Sequence, residues 1–204
     1  MMNFVYHILT RRYSRQHYLR RHAGSARATA RERGAALVEF SLVASLLMTM
    51  AIGTYELGMA WNDAQLVTQA ARSGARVAAQ LGSDNQSDQR ILEAIEAGLG
   101  DLEPGLVKIV IFDAAATDGQ MPSSCETASH PGRSGKCSVY ARTHFSTFVQ
   151  GSWLPSTRND EIKNADYVGI HVEVDRPFLS GLLGQTSLTI TDQAVMRIEP
   201  NFAP

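Results

Sequence analysis

The sequence predicts an α+β fold in which a long N-terminal helix, apolar enough to cross a membrane, leads into a small antiparallel sheet domain with helices. Three observations predict it. An apolar run extends from Ala35 to Trp61, a helix-forming pattern continues beyond it to Leu81, and the last third of the chain alternates apolar and polar residues. The 204 residues suffice for one membrane helix and one modest exterior domain.

The apolar run reads AALVEFSLVASLLMTMAIGTYELGMAW, with 16 uncharged residues between Glu39 and Glu56. As a helix those residues cover roughly 24 Å, less than a hydrocarbon core of about 30 Å. The membrane helix must therefore draw on both flanks, which leaves both carboxylates near the interfaces. Tyr55 and Trp61 suit the aromatic belt at the far end. No later segment is apolar enough to enclose such a helix in a soluble core.

Charge sets the orientation. Residues 1–34 hold eight arginines against the single Glu32, a net +7, whereas the remainder holds 11 basic and 19 acidic residues, a net −8. The positive-inside rule keeps the arm in the cytoplasm and puts the domain after residue 62 in the periplasm. The arm, Arg-rich and acid-poor, is read as a topogenic signal and not as a nucleic-acid-binding element, and as poorly ordered. An ordinary signal peptide fits poorly, because its cationic part would be 34 residues long. Arg11-Arg12 stands too far from the apolar core for a twin-arginine signal.

Beyond the span, NDAQLVTQAARSGARVAAQLG carries the helix on, with Leu66, Ala70, Val77 and Leu81 on one apolar face, until Gly82-Ser83-Asp84-Asn85 breaks it. Asp88–Leu99 reads as a second helix, with Ser87 or Asp88 as its cap and Gly98 or Gly100 at its end. Leu106–Phe112 is a strand rich in branched residues. A long irregular section follows, with Val139–Thr143 as a short strand and Trp153–Asp166 as a charged loop. Val168, Ile170, Val172 and Val174 then form a half-buried strand. A short connection leads to a partner strand with Leu188, Ile190, Ala194, Met196 and Ile198 on one face, where Asp192 marks a bulge or an edge. The organisation is thus 1–34 basic leader, 35–61 transmembrane helix, 62–81 helix extension and 82–204 periplasmic α+β domain.

Cys125 and Cys137 flank ETASHPGRSGK, a loop rich in Gly, Ser and Pro. An isolated pair in an oxidising compartment pairs as a disulfide, and closing such a loop is worth roughly 3 kcal/mol. A redox motif needs a two-residue spacer and a zinc site needs more ligands.

The boundary of the span is the most informative stretch. In RERGAALVEF, arginines lead to Gly34, and Glu39 and Phe40 open the apolar run. A carboxylate in mid-bilayer costs roughly 2.5–3.5 kcal/mol and less near an interface, so its retention implies a use. This motif, together with Tyr55-Glu56-Leu57-Gly58 and QAARSGARVAA at 69–79, resembles the TadE-like family, pseudopilins of tight-adherence (Tad) pilus systems. The C-terminal strands resemble it more loosely. The resemblance implies a pilin-like architecture and cutting between Gly34 and Ala35 by a prepilin peptidase, which leaves a mature chain of 170 residues (204 less the 34 of the leader). It also implies that Glu39, with Phe40 beside it, serves subunit assembly by pairing with the freed amine of a neighbouring subunit. The implied partners are the peptidase, other pilin-like subunits, the assembly platform and the membrane. An uncut anchored scaffold or binding domain is the alternative, since related families share this N-terminus.

Ser41, Ser45, Thr49 and Gly53 recur every four residues, a spacing of small side chains that lets helices approach closely. No other chemistry stands out. The histidines (7, 17, 22, 130, 144 and 171) show no metal-ligand spacing. GRSGK at 132–136 lacks the first Gly and the Ser or Thr of a phosphate loop. No catalytic constellation, metal site or cofactor is expected, and the chain is read as a non-enzyme.

Overall fold

The computed structural model describes residues 2–115, 118–126, 136–142, 151–181, 184 and 186–200, with side chains from Gly34 onward. The Cys-loop residues 127–135, most of GRSGK, Thr143, His130 and His144 lie outside the described residues, as do the arm's histidine side chains. Two compact units divide the chain at Gly53/Thr54, within the first helix.

The N-terminal unit is helix. Helix α1 runs from Met2 to Leu81, so helical backbone begins well before Ala35, where the reading above expects a poorly ordered arm. The composition accounts for this. The arm contains no proline, and Arg, Ala and Leu propagate a helix well. Gly34–Leu81 is long and apolar enough to cross a membrane, and none of its most apolar window is buried.

The C-terminal unit is α+β. It comprises the end of α1, α2 (Ser87–Leu99), a 3-10 turn at Gly100–Gly105 and β1 (Leu106–Asp113). The single turn α3 (Ser123–Glu126), β2 (Cys137–Ala141), β3 (Tyr167–Pro177) and β4 (Ser187–Arg197) complete it. The four strands form one antiparallel sheet in the order β2-β1-β3-β4. The expected C-terminal pair is β3–β4, in unbroken register from Tyr167↔Arg197 to Pro177↔Ser187. Asp192 therefore sits on an edge strand, and the irregularity in the ladder falls instead between Leu106 and Lys108 of β1.

The main core lies between α1, α2 and one face of the sheet, where Ile91, Ile95, Leu99, Ile109, Ile170 and Val172 meet. Of the apolar face expected on α1, Ala70 is buried, but the rest of the buried face is different. The whole face consists of Val67, Ala70, Ala71, Gly74, Ala75 and Ala78, while Leu66, Val77 and Leu81 are only half buried. Small residues win this face because the helices nearly touch. A Cβ on Gly74 would come within 2.6 Å of Ile95, and one on Gly98 within 3.1 Å of the Ala70 backbone. On the sheet's other face, Val110, Phe112 and Val139 pack with Cys125 and Cys137 in a second cluster. There the Phe112 ring fills the space beside Gly169, where a Cβ would lie 2.2 Å from it.

The cap of α2 also differs from expectation. Gln86 occupies the N-cap position without a side-chain bond, and its own N–H donates to Asp84 Oδ1 at 2.7 Å. Ser87 and Asp88 are instead fully buried. Their oxygens accept from Arg158, whose side chain is itself buried. Asp88 also accepts from Tyr140 Oη at 2.6 Å, and burial together with Asp88 pushes the Tyr140 phenol well above its usual range. The charged loop Trp153–Asp166 thus sends one arginine into the core, over the Trp153 ring at 4.6 Å.

Candidate functional site

The sequence-marked residues of the boundary motif all lie on α1. Gly34, Ala35, Glu39, Phe40, Ser41, Ser45 and Thr49 are exposed, and Gly53 is half exposed. A Cβ on Gly34 or Gly53 would meet nothing within 4 Å. Glycine costs a helix interior about 1 kcal/mol relative to alanine, so the fold of this chain gives no reason for either glycine.

Glu39 stands on the same bare cylinder, and no described residue forms a hydrogen bond or ion pair with it. Around and beyond it, Leu37, Phe40, Leu46, Met48, Leu57 and Trp61 are each at least 60% exposed. A soluble chain rarely shows an apolar surface of this extent. The hydroxyls on this stretch turn inward to the helix: Ser41 Oγ donates to Val38 O, Ser45 Oγ to Leu42 O and Thr49 Oγ1 to Ser45 O, all at 2.8–2.9 Å. No hydroxyl among these is left to face lipid unsatisfied. The four small residues leave a low, uncovered strip along this side of α1.

A second group of residues was not read from the sequence as a site, although Glu56 stands out there as the carboxylate that ends the uncharged run. Glu56 is 4% exposed, and its Oε1 accepts from Ser180 N–H at 2.8 Å and Ser180 Oγ at 2.9 Å. Asp63, 3% exposed, pairs with Arg176. Seven residues, two helical turns, separate the acids and put them on one face of α1. That spacing was the available signal. The sheet thereby grips the helix where it emerges from the apolar run, through the end of β3 and the turn that follows it.

Cys125 and Cys137 are joined as a disulfide, with Cα atoms 6.3 Å apart. It ties α3 to the first residue of β2 beneath the second cluster. Lys136, next to the bridge, donates to Asp113 Oδ2 at 2.7 Å, and this bond holds its ammonium above the usual lysine range. Among the described residues no three His, Cys, Asp or Glu side chains converge as a metal site. A depression lined by Val77, Gln80, Leu81, Asp84 and Arg90 lies open to solvent at the end of α1. Arg90 there pairs with Glu93 at the surface.

Residues 34–76, about one fifth of the chain, match the family model described as TadE-like protein. The match begins at Gly34 and covers the apolar run and the buried face of α1 as far as Ala75. Comparisons with curated proteins and with solved structures give no match.

Proposed function

From an N-terminal helix that carries the TadE-like signature, we propose that this chain is a pseudopilin-like minor subunit of a Tad-type pilus assembly or secretion system. It acts as a structural component and not as an enzyme. It sits in the bacterial inner membrane as a single-pass protein, with the arginine arm inside and the α+β domain in the periplasm. The carrying observation is Glu39, an exposed carboxylate with no partner among the described residues, set five positions beyond Gly34 in an apolar cylinder.

The chemistry that uses this arrangement is pairing between subunits. A prepilin peptidase cuts after Gly34, where a side chain beside the scissile bond would obstruct the enzyme. Cutting removes the +7 arm and creates an α-amine at Ala35. In a low-dielectric bundle, a carboxylate on a neighbouring helix attracts that amine far more strongly than it would in water. One pair per contact then fixes the axial register, while Ser41, Ser45, Thr49 and Gly53 let the helices lie close. The other pilin-like subunits and the assembly platform are the partners of this face.

The test separates cutting from pairing. Gly34→Val should leave the 204-residue precursor in the membrane. Glu39→Ala should be cut normally yet fail to co-purify with other pilin-like subunits, and Glu39→Asp should be intermediate because its reach is shorter. Normal assembly of Glu39→Ala would remove the pairing role even where cutting occurs.

A further inference from the structure

The β3–β4 turn has no part in the pairing chemistry, yet the structure fixes its height along α1. Ser180 gives both its N–H and its hydroxyl to Glu56, so the turn lies beside Glu56. Trp61 is five residues further out, about 7–8 Å along the axis. The uncharged stretch from Phe40 to Tyr55 is shorter than a hydrocarbon core. A bilayer around this helix therefore draws on its flanks and leaves Glu56 near the interface, so whatever is bound to Glu56 lies close to the membrane boundary.

The turn is built for that place. Leu179 is 71% exposed, and the sequence carries no charged residue from Pro177 to Thr191. Three of its backbone donors are used: Phe178 N–H donates to Thr186 O at 3.1 Å, Ser180 N–H to Glu56 Oε1 at 2.8 Å and Gly184 N–H to Gly181 O at 3.0 Å. Backbone polar groups satisfied within the turn are the condition for entering a water-poor region. A lone exposed leucine means little on a soluble surface; here a buried carboxylate on the membrane helix holds it at the interface.

We propose that Phe178–Gly181 is a second membrane contact, in which Leu179 enters the outer-leaflet boundary between headgroups and acyl chains. The contact orients the domain on the membrane surface and spares Glu56 exposure to lipid. Because the turn is uncharged, the ligand is the apolar interface itself, and anionic lipid adds nothing to the contact. The proposal rests on the membrane reading of α1.

The test uses the full chain reconstituted in phosphatidylethanolamine vesicles, with and without phosphatidylglycerol. A phospholipid with a photoactivatable group in its upper acyl chain should label the wild-type peptide containing Leu179 as well as the span. It should leave unlabelled the peptide containing Ile162, which is 59% exposed and lies at the opposite end of β3. In a second measurement, nitroxide labels on Leu179→Cys, Val43→Cys and Ile162→Cys are compared for collisions with oxygen and with a water-soluble nickel chelate. Labels at Leu179 and Val43 should favour oxygen, and the label at Ile162 should favour nickel. A Leu179 label as open to nickel as Ile162, or shielded from both reagents as in a protein–protein contact, overturns the proposal while Val43 still reports lipid. A Val43 label open to nickel overturns the membrane reading itself and the turn contact with it.

Discussion

Replacing Asp88 with alanine should unfold the α+β domain at a much lower temperature. Asp88 and Arg158 are both at 0% side-chain exposure. Removing the carboxylate leaves a guanidinium held against Trp153 and, among the described residues, reached only by Ser87 Oγ at 3.3 Å and Trp153 O at 3.4 Å. The Tyr140 hydroxyl also loses the carboxylate it donates to, while Gly151 N–H still donates to it at 3.0 Å. Breaking one side of a buried pair costs about 3–5 kcal/mol. For a unit of the size of Thr54–Pro204, that corresponds to a fall in Tm of about 6–20 °C. Thermal melts of the detergent-solubilised full chain, followed by near-ultraviolet circular dichroism, measure it. Asp88→Leu combined with Arg158→Met should recover part of the loss, because no unpaired charge then remains in the core. A loss below about 1 kcal/mol in Asp88→Ala would refute the account of a buried and mutually dependent pair.

Two further outcomes follow from the same domain. Non-reducing peptide mapping should find Cys125 linked to Cys137, and Cys125→Ser with Cys137→Ser should cost roughly 3 kcal/mol; two free thiols in protein kept oxidised would refute it. Burial, aided by Lys108, holds the His171 imidazole below its usual range, so the unfolded chain takes up that proton first. The contribution of His171 is therefore fully present above about pH 6.5 and lost as pH falls through the lower folded value. Melting curves between neutral and acid pH should fall less steeply in His171→Gln, and an unchanged slope would contradict the assignment.

The parts of the fold legible in the sequence are those dictated by local periodicity. The apolar run, the α2 pattern and the alternation of β3 and β4 each depend on neighbours a few residues away. What escaped reading depends on distant partners. Ser87 and Asp88 look like caps because their side chains suit that place, yet Arg158, seventy residues after Asp88, takes both into the core. Leu66 and Leu81 look like core by hydrophobicity, but a helix pressed as close to Ile95 as Gly74 is admits only small side chains. Glu56 looks like a carboxylate left at an interface, and only the chain's return at Ser180, 124 residues later, shows it to be held. At the candidate site the reverse holds. Gly34, Glu39 and the small residues at 41, 45, 49 and 53 stand out by local sequence pattern alone, and the fold covers none of them fully.

The central claim is that residues 1–34 are a leader whose removal creates the amine that Glu39 serves. N-terminal sequencing and intact mass of the unaltered protein, extracted from a host membrane that contains the matching peptidase, test it most directly. The account predicts a chain that begins at Ala35, with 170 residues remaining of 204. A chain that still begins at Met1 in that host would contradict it and leave an uncut, membrane-anchored scaffold in its place.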